Sequence, residues 1–585
     1  MNILPQPQKI EKLGGEYVFA KGYRVEDTFS RCVSYLKTFA ETDGNAEEID
    51  CIIDNSLKDE EYVLEINGGV KITAKDECGI FRALSSLKQL IAYEKCENMK
   101  IHDCPDIKKR GLMLDISRGK VPKLDTLLEI VNILSDLKYN QLQLYMDGIV
   151  FEYVHFKEFV NKDGALTIDE IKRLSDYCSE RFIELVPNQN GFGHMEKWLE
   201  KPELTELGIR RDDGKPGDTL NPLDDRAFEF IDTLYSDLLP YFSSEYVNVG
   251  MDETVSLGMG QTKEYCDKHG KINLYIEYLN KIIRLTNKKY GKKAMIWDDI
   301  LFEHPECISK LDKNSVVMDW GYEAEAPFAM RCEFLKEKEL PFYTCPGTST
   351  WGSITGRFDN MIYNVESAAV SCILNGGEGI LLTEWGDGGS AAFSPMCFLP
   401  YIFTACCAWH YNVPKFSISY SKQESIVRYC EEYADKFIFG GNKVSELLHM
   451  MANYYLLENL NRFNGTYIIS DTEAWCKDKM PENDYSRAYL SEEKADRIKR
   501  YMEEIRVSLT KLDKNTPYID EIICNCDMVI IMADFIIAKM RGSDNGLKHR
   551  IDELKVRFEK LWKVRSKSVG CDIFMSKLDE MAEKL

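Results

Sequence analysis

The chain has 585 residues, of which 44% are hydrophobic, and this length indicates more than one domain around substantial buried cores. Its 96 acidic residues against 74 basic ones give a formal net charge of −22. That charge argues against nucleic acid or an anionic membrane as the main partner, because both bind a concentrated basic face. No apolar run approaches the length needed to span a bilayer, so no membrane partner is predicted.

The cysteines and the first residues of the chain indicate the cellular compartment in which the protein resides. The 19 cysteines are scattered without the spacing of a zinc site or a disulfide framework. Free thiols in this number are typical of a reducing environment. Residues 1–8 carry neither the basic nor the apolar segment of an export signal. We therefore predict a soluble, cytoplasmic protein.

Residues 1–105 are predicted to form a small α+β domain. Two alternating runs, at 61–67 and 70–74, are joined by Gly68-Gly69, which is a strong signal for a β-hairpin. Apolar residues at helical spacing follow over 79–93. No residue in this part suggests catalysis, so we expect a supporting domain.

Residues 106–412 show a different pattern, in which short apolar runs alternate with helical periodicity. The eight candidate strands are 111–116, 141–146, 183–187, 246–249, 294–296, 315–318, 341–342 and 379–382. One of the helices between them begins at a capping box, Thr167-x-x-Glu170. Strand followed by helix, eight times, predicts an α/β fold of the (β/α)8 TIM barrel type, with functional residues at the carboxyl ends of the strands. An open doubly wound sheet is less favoured because no Gly-rich phosphate turn follows the first strand.

Residues 413–585 are predicted to form a mostly helical domain. Long amphipathic patterns cover 445–463, 491–512, 519–540 and 547–564, and the stretch 464–484 is expected to be a loop. A helical cap over the barrel and a homodimer interface both agree with these patterns.

Two adjacent carboxylates, Asp252 and Glu253, follow the fourth run, which breaks at Gly250. Neighbouring side chains of a strand point to opposite faces, so the pair can share a pocket only beyond the end of the strand. An isolated Asp-Glu pair is usually a surface turn. At the end of a buried barrel strand, however, an ionisable pair is costly unless it is solvated or functional.

Aromatic residues cluster in the second half of the barrel. Any single tryptophan is usually a core residue, but four at or just beyond strand ends indicate an aromatic-walled pocket. These are Trp297, Trp320, Trp351 and Trp385. Flat apolar faces of sugars stack well on such walls, and a carboxylate such as Asp387 can accept hydrogen bonds from sugar hydroxyls.

Other chemistries find less support in the sequence. No His-x-His or His-Glu-x-x-His spacing suggests a metal, and no Gly-x-Ser-x-Gly motif suggests a serine nucleophile. We therefore predict no metal and no cofactor, and carboxylate acid/base catalysis on a glycoside matches best. A catalytically inactive sugar-binding barrel and a metal-dependent barrel enzyme remain the alternatives.

These motifs together resemble glycoside hydrolase family 20, the exo-acting β-N-acetylhexosaminidases, over about residues 1–410. The matching stretches are Pro5-Gln6-Pro7 in the small domain, residues 110–118 at the first barrel strand, Gly250-Met251-Asp252-Glu253 and Trp297-Asp298.

The resemblance implies substrate-assisted catalysis with retention. The 2-acetamido oxygen of the substrate attacks the anomeric carbon and forms an oxazolinium intermediate, and no enzyme nucleophile takes part. In this scheme Glu253 is the general acid and then the base, and Asp252 holds the acetamido nitrogen. Tyr343, at the end of the seventh run, would bind the acetamido oxygen.

The resemblance also implies how the sugar is bound. Arg118 would hold the 3- and 4-hydroxyls, and Asp387 the 4- and 6-hydroxyls. Trp297, Trp351 and Trp385 would wall the acetamide and stack on the ring. His194 would support Glu253 in a charge relay. The substrate would be an oligosaccharide or glycoconjugate that ends in β-linked N-acetylglucosamine or N-acetylgalactosamine.

The sequence departs from the family pattern at two strand ends. Asn248 and Met251 stand where the family usually has His and Gly ahead of the Asp-Glu pair. The run at 144–147 replaces a common Trp-His-Leu, which leaves the pairing of Asp147 with His194 open.

Overall fold

A computed structural model describes residues 2–411, 420–460, 462–478, 489–544 and 546–585, and for 420–423 only the backbone. The predicted boundary at 412/413 lies outside the described residues.

The N-terminal part forms a five-stranded sheet covered by a helix. In spatial order its strands are Lys9–Val18, Lys95–Asp103, Tyr62–Ile66, Val70–Ala74 and Asp50–Ile53. Tyr62–Ile66 pairs antiparallel with Val70–Ala74, which confirms the hairpin. The helix Glu77–Ile91 begins at Asp76, whose side chain accepts a hydrogen bond from the backbone N–H of Gly79, and its apolar face packs on the sheet.

Eight parallel strands then close into a barrel, so the predicted fold class is confirmed. The strands are β1 (Lys109–Asp115), β2 (Gln141–Met146), β3 (Glu184–Gln189), β4 (Tyr246–Asn248), β5 (Lys293–Trp297), β6 (Ser315–Trp320), β7 (Phe342–Cys345) and β8 (Gly379–Glu384). The ring closes because β8 pairs in parallel with β1.

Helices surround the barrel and bury their apolar faces against the strands. The longer ones are Leu124–Asp136, Ile168–Ser179, Asp225–Leu238, Lys271–Tyr290, Phe328–Glu337, Phe358–Asn375 and Phe398–Trp409. The capping box at Thr167 and Glu170 is present at the start of Ile168–Ser179. A short helix, Asp299–Glu303, follows β5 directly.

The N-terminal sheet joins the amino end of the barrel through buried polar contacts. The Lys138 amine lies 2.8 Å from Asp103, and neither side chain is exposed. Asp103 also accepts a 2.8 Å hydrogen bond from the indole of Trp409. Glu60 binds Arg82 and Arg110 at 2.8 and 2.7 Å. These ion pairs lie beside the starts of β1 and β2, away from the functional end of a barrel.

The C-terminal part is helical, as predicted, but the stretch predicted over 445–463 forms a shorter α-helix, Ser445–Ala452, and a 3-10 helix, Tyr454–Glu458. Its helices are Tyr420–Phe437, Ser445–Ala452, Tyr467–Cys476, Glu492–Leu509, Ile519–Arg541, Leu547–Arg565 and Cys571–Glu583. None of the helices in the described ranges is long and apolar enough to cross a membrane.

The helix Tyr467–Cys476 corrects the prediction of a loop over 464–484. It is only 10 residues long, and helices of this length depend on tertiary packing rather than on their own propensity. That packing comes from Ile519–Arg541, against which it lies. The end of the predicted loop, 479–484, lies outside the described part of the chain.

Candidate active site

A pocket of about 150 Å³ opens at the carboxyl end of the barrel. Its walls are Arg118, His194, Asp252, Glu253, Trp297, Trp320, Tyr322, Trp385, Asp387, Phe463 and Asn464. Eight of the eleven residues that the sequence predicted for the site therefore meet in one place. The three others are Asp147, Trp351 and Tyr343.

The loop after β4 turns both carboxylates into this pocket. Gly250, Met251 and Glu253 have φ values of 70°, 82° and 45°. For the two residues with side chains, such a conformation costs about 1–3 kcal/mol each and persists only where neighbours hold it. The Glu253 N–H donates to Asp299 Oδ2 at 2.9 Å, and the Tyr275 hydroxyl donates to the Met251 carbonyl at 3.0 Å.

His194 bridges the two carboxylates. Its Nε2 lies 3.3 Å from Asp252 Oδ2 and 3.4 Å from Glu253 Oε2. Burial disfavours the charged ring, but the two carboxylates outweigh it and raise the pKa of His194 to about 11. The ring is therefore an imidazolium at neutral pH.

The two carboxylates have different surroundings. The Asp252 side chain is 11% exposed, whereas that of Glu253 is 56% exposed at the mouth of the pocket. Asp252 Oδ1 is buried and has no hydrogen-bond partner among the described residues. A buried carboxylate oxygen of this kind is costly unless a bound molecule supplies a donor.

Arg118 organises the opposite side of the pocket. Its guanidinium donates to Asp115 at 2.8 Å and lies 3.6 Å from Asp147 and 3.4 Å from Asp387. Burial raises the pKa of Asp147 to about 6, although Arg118 acts in the other direction. Asp147 thus pairs with Arg118. It lies behind Arg118 and does not itself line the pocket.

Aromatic rings form the remaining walls. Trp385 lies 6.0 Å from Trp297, measured between ring centroids, and Trp320 stacks on Tyr322 at 5.2 Å. Trp351 meets Tyr322 edge-on at 5.1 Å from outside the pocket. Its indole N–H donates to Asn464 Oδ1 at 3.0 Å. Trp351 therefore supports the wall rather than lining it.

The structure does not bring Tyr343 to the pocket. It is the second residue of β7, is fully buried, and aligns with Gly379, the first residue of β8. Its ring packs in the barrel interior. The strand continues to Cys345, three residues beyond the end of the apolar run, so Tyr343 is not at the strand end. This corrects the predicted position.

The tyrosine that lines the pocket is Tyr322, which was not among the residues predicted from the sequence. It follows β6 by two residues, and burial raises its pKa well above the usual tyrosine value. An available signal was the run Trp320-Gly321-Tyr322, which repeats the pattern of an aromatic residue just beyond a strand end.

Three further site residues had no local signal. Phe463 and Asn464 come from the C-terminal part, more than 70 residues after the last barrel strand. Asp299, behind Glu253, has its pKa raised to about 7 by burial and by the nearby Asp252. Among the described residues, no group of three or more His, Cys, Asp or Glu is arranged to hold a metal ion.

Comparison with known proteins identifies two matching regions. The family description "Glycosyl hydrolase family 20, catalytic domain" matches residues 108–331, and "Glycosyl hydrolase family 20, domain 2" matches residues 1–104. Residues beyond 331, which include Phe463 and Asn464, lie outside both matches.

Curated relatives include two β-hexosaminidase subunits. The β subunit of Entamoeba histolytica is 26% identical over 297 residues, which is 45% of this chain and 51% of that protein. Subunit A1 of Dictyostelium discoideum is 27% identical over 301 residues, which is 46% of this chain and 56% of that protein. The chain thus spans about half the length of the curated relatives it matches.

Solved structures share the fold. A β-N-acetylhexosaminidase from Bacteroides fragilis aligns with a TM-score of 0.62 and 18% identity, covering 74% of this chain and 95% of its own. A chitobiase from Flavobacterium johnsoniae aligns over 99% of both chains with a TM-score of 0.61 and 16% identity. At this identity the likeness concerns the fold alone.

Proposed function

Because the chain belongs to glycosyl hydrolase family 20, we propose that it is an exo-acting, retaining β-N-acetylhexosaminidase. It releases terminal β-linked N-acetylglucosamine, N-acetylgalactosamine or both from an oligosaccharide or glycoconjugate, through an oxazolinium intermediate. The observation that carries the proposal is the pair Asp252 and Glu253 in one pocket, bridged by His194, with one buried Asp252 oxygen free to accept a hydrogen bond.

Asp252 acts on the acetamido group of the substrate. Its unpartnered Oδ1 accepts the acetamido N–H and thereby orients the acetamido oxygen towards the anomeric carbon. As that oxygen attacks, positive charge develops on the acetamido group. A carboxylate fixed at this position stabilises the charge without reorganising.

Glu253 acts on the leaving group. Its exposed position at the pocket mouth suits contact with the glycosidic oxygen, to which it gives a proton as the bond to the anomeric carbon breaks. The His194 imidazolium, 3.4 Å away, stabilises the carboxylate that remains. Glu253 then takes a proton from the water that opens the oxazolinium, which restores the acid and gives net retention.

The other side chains bind and orient the sugar. Tyr322, rather than Tyr343, is the tyrosine near Asp252, and we assign its hydroxyl to the acetamido oxygen. Trp297, Trp320 and Trp385 enclose the sugar ring, and Trp351 supports Tyr322. Arg118 and Asp387 bind hydroxyls on the ring edge opposite the anomeric carbon, and Asp147 orients Arg118.

Activity against the 4-nitrophenyl β-glycosides of N-acetylglucosamine and N-acetylgalactosamine tests the proposal. We expect hydrolysis of at least one, and proton NMR of the first-formed sugar should show the β-anomer. Inversion at the anomeric carbon would exclude the proposed mechanism.

The same assay separates the alternatives. Full activity after treatment with a chelator is expected, whereas loss of activity that an added divalent metal restores would indicate a metal-dependent barrel enzyme. Binding of N-acetylhexosamine without hydrolysis of either glycoside would indicate an inactive sugar-binding protein.

A cytoplasmic location is part of the proposal. All 19 cysteines lie in the described ranges, where none forms a disulfide, and 16 of them are buried, which suits a reducing compartment. The substrate would then be a small soluble glycan. Native protein recovered from outside the cell with several disulfides would contradict this location. The homodimer stays a prediction, which sedimentation of the purified chain would test.

A further inference from the structure

A second, larger cavity lies between the barrel and the C-terminal helices. It is beside the pocket that contains Asp252 and Glu253, which we call the sugar pocket. The volume of the larger cavity is about 650 Å³, within the range of about 300–1,000 Å³ that small-molecule sites occupy. The loops after β7 and β8 form one side. The helices Tyr467–Cys476 and Cys571–Glu583 form the other.

The two cavities meet along a shared wall. Trp385, Asp387, Phe463 and Asn464 line both. Phe463 is 73% exposed, so an aromatic ring stands uncovered at the junction. A molecule that extends from the sugar pocket past these residues would enter the larger cavity.

The position of the catalytic residues decides which end of a substrate would extend there. Asp252, Glu253 and His194 line the sugar pocket but are absent from the walls described for the larger cavity. The leaving group must lie against Glu253, because that residue protonates the glycosidic oxygen. The larger cavity consequently opens on the opposite edge of the ring, where O4 and O6 face Asp387.

The chemistry of the walls indicates a neutral, hydroxyl-rich occupant. The described lining contains five carboxylates and four cationic side chains, so the cavity has no strong preference for an anion. Several charges are already paired, as Lys577 is with Glu473 at 2.7 Å. Hydroxyl groups such as those of Thr466 and Ser470 lie among them, together with the Phe463 ring. Polar groups beside an exposed aromatic face are well suited to a pyranose.

We propose that the larger cavity binds a second, neutral sugar linked to O4 or O6 of the N-acetylhexosamine, so that the enzyme also releases an intact disaccharide. This inference rests on the proposed function. The acetamido oxygen displaces the aglycone, which leaves with the proton of Glu253, and water then adds to the anomeric carbon of the oxazolinium. The linkage between the two sugars of the product is not touched.

Matched aryl glycosides test the inference. The 4-nitrophenyl β-glycosides of N-acetylglucosamine and of its 4-O- and 6-O-β-galactosyl derivatives are compared by kcat/KM, and the released sugar is identified by mass spectrometry. We expect an intact disaccharide from at least one derivative, with kcat/KM within about tenfold of the value for the monosaccharide glycoside.

A variant that fills the larger cavity with a bulky side chain tests its role directly. Ser470→Trp places a large ring in the larger cavity and not in the sugar pocket. It should lower kcat/KM for the disaccharide glycoside by at least about tenfold and leave the monosaccharide glycoside within about twofold. Tyr467→Trp, on the same helix but outside the described lining, is the control and should change neither value. Ser576→Trp enters the cavity from another helix and replaces Ser470→Trp if that variant does not fold.

The outcomes distinguish failure of the second-sugar site from failure of the proposed function. Cleavage of the monosaccharide glycoside alone overturns the second-sugar site and leaves the proposed function standing. Equal loss of both activities in the cavity-filling variants also overturns the inference, because the larger cavity would then not be selective for the second sugar. Cleavage of a 6-sulfated glycoside without cleavage of either galactosyl derivative would reassign the cavity to an anion. If no glycoside is cleaved, the proposed function itself fails.

Discussion

The two parts added to the barrel occupy opposite ends of it and do different work. The N-terminal sheet meets the amino end, where Lys138 pairs with Asp103 in a fully buried contact. The C-terminal helices meet the carboxyl end, where Asn464 binds Trp351 and lines the sugar pocket together with Phe463.

This difference follows from the barrel itself. The carboxyl ends of the strands carry the functional side chains, and the amino ends carry residues that matter for stability. A domain docked at the amino end can therefore stabilise the fold without reaching the substrate. A domain docked at the carboxyl end necessarily shapes the site.

Changes at the catalytic pair should have the largest effects, since both carboxylates lie at the carboxyl end. Asp252→Asn should reduce kcat/KM by roughly 10²–10⁴ on natural and aryl substrates alike, because the acetamido group gains charge whatever the leaving group is. Glu253→Gln should damage cleavage of a natural disaccharide far more than that of an activated aryl glycoside, which hardly needs the proton.

Steady-state kinetics with both substrate types measure these effects. A thiazoline that mimics the oxazolinium should bind the native enzyme tightly and Asp252→Asn poorly. Equal leaving-group dependence in the two variants, with no inhibition by the thiazoline, would show that the assigned roles are wrong.

At the amino end, Lys138→Met should reduce stability but not catalysis. It leaves Asp103 as a buried charge that has lost its cationic partner, which costs about 3–5 kcal/mol in the free energy of unfolding. The folded variant should keep its kcat, because the ion pair does not reach the pocket. Denaturant unfolding and kinetics measure the two quantities.

Lys12→Met is the matched control for that variant. It removes a lysine from an exposed pair with Glu97 on the same sheet, where the side chains are 75% and 41% exposed, and should leave the free energy of unfolding almost unchanged. A fall in kcat for folded Lys138→Met would break the distinction between the two ends of the barrel.

Asp299→Ala should lower kcat more than it changes KM. It removes the acceptor that holds the Glu253 N–H at 2.9 Å in a left-handed conformation, and displacement of a catalytic group can cost up to about 10²-fold. Asp299→Asn keeps an acceptor oxygen and should retain most of the activity. If both variants lose activity equally, the charge of Asp299 matters rather than its hydrogen bond.

The smallest effect concerns pH. Burial raises the pKa of Asp299 to about 7 from about 3.9 in the unfolded chain, so between these values the folded state binds more protons than the unfolded state. The Asp299 contribution to the free energy of unfolding therefore falls as pH rises from about 4 to 7. Asp299→Asn should lose less stability than the native protein between pH 5 and pH 8. Denaturant unfolding at the two pH values measures this. An equal loss of the free energy of unfolding in the two proteins would contradict the prediction.

The sequence alone was enough for the architecture and for the position of the two carboxylates that we propose to be catalytic. Apolar runs at the spacing of barrel strands, a Gly-Gly hairpin and a capping box are local signals, because backbone hydrogen bonding and side-chain periodicity act over a few residues. Asp252 and Glu253 were found in the same way. Two charged neighbours directly after a buried strand can only lie beyond its end.

Only the tertiary structure decided which other residues reach the substrate. Tyr343 and Tyr322 both lie near the ends of apolar runs, yet Tyr343 points into the barrel because β7 continues to Cys345. Asp299 matters through a hydrogen bond to a backbone group 46 residues earlier, and Phe463 through the docking of helices that no strand pattern predicts. Such contacts depend on strand register and on packing between distant elements, and neither is encoded in a short stretch of sequence.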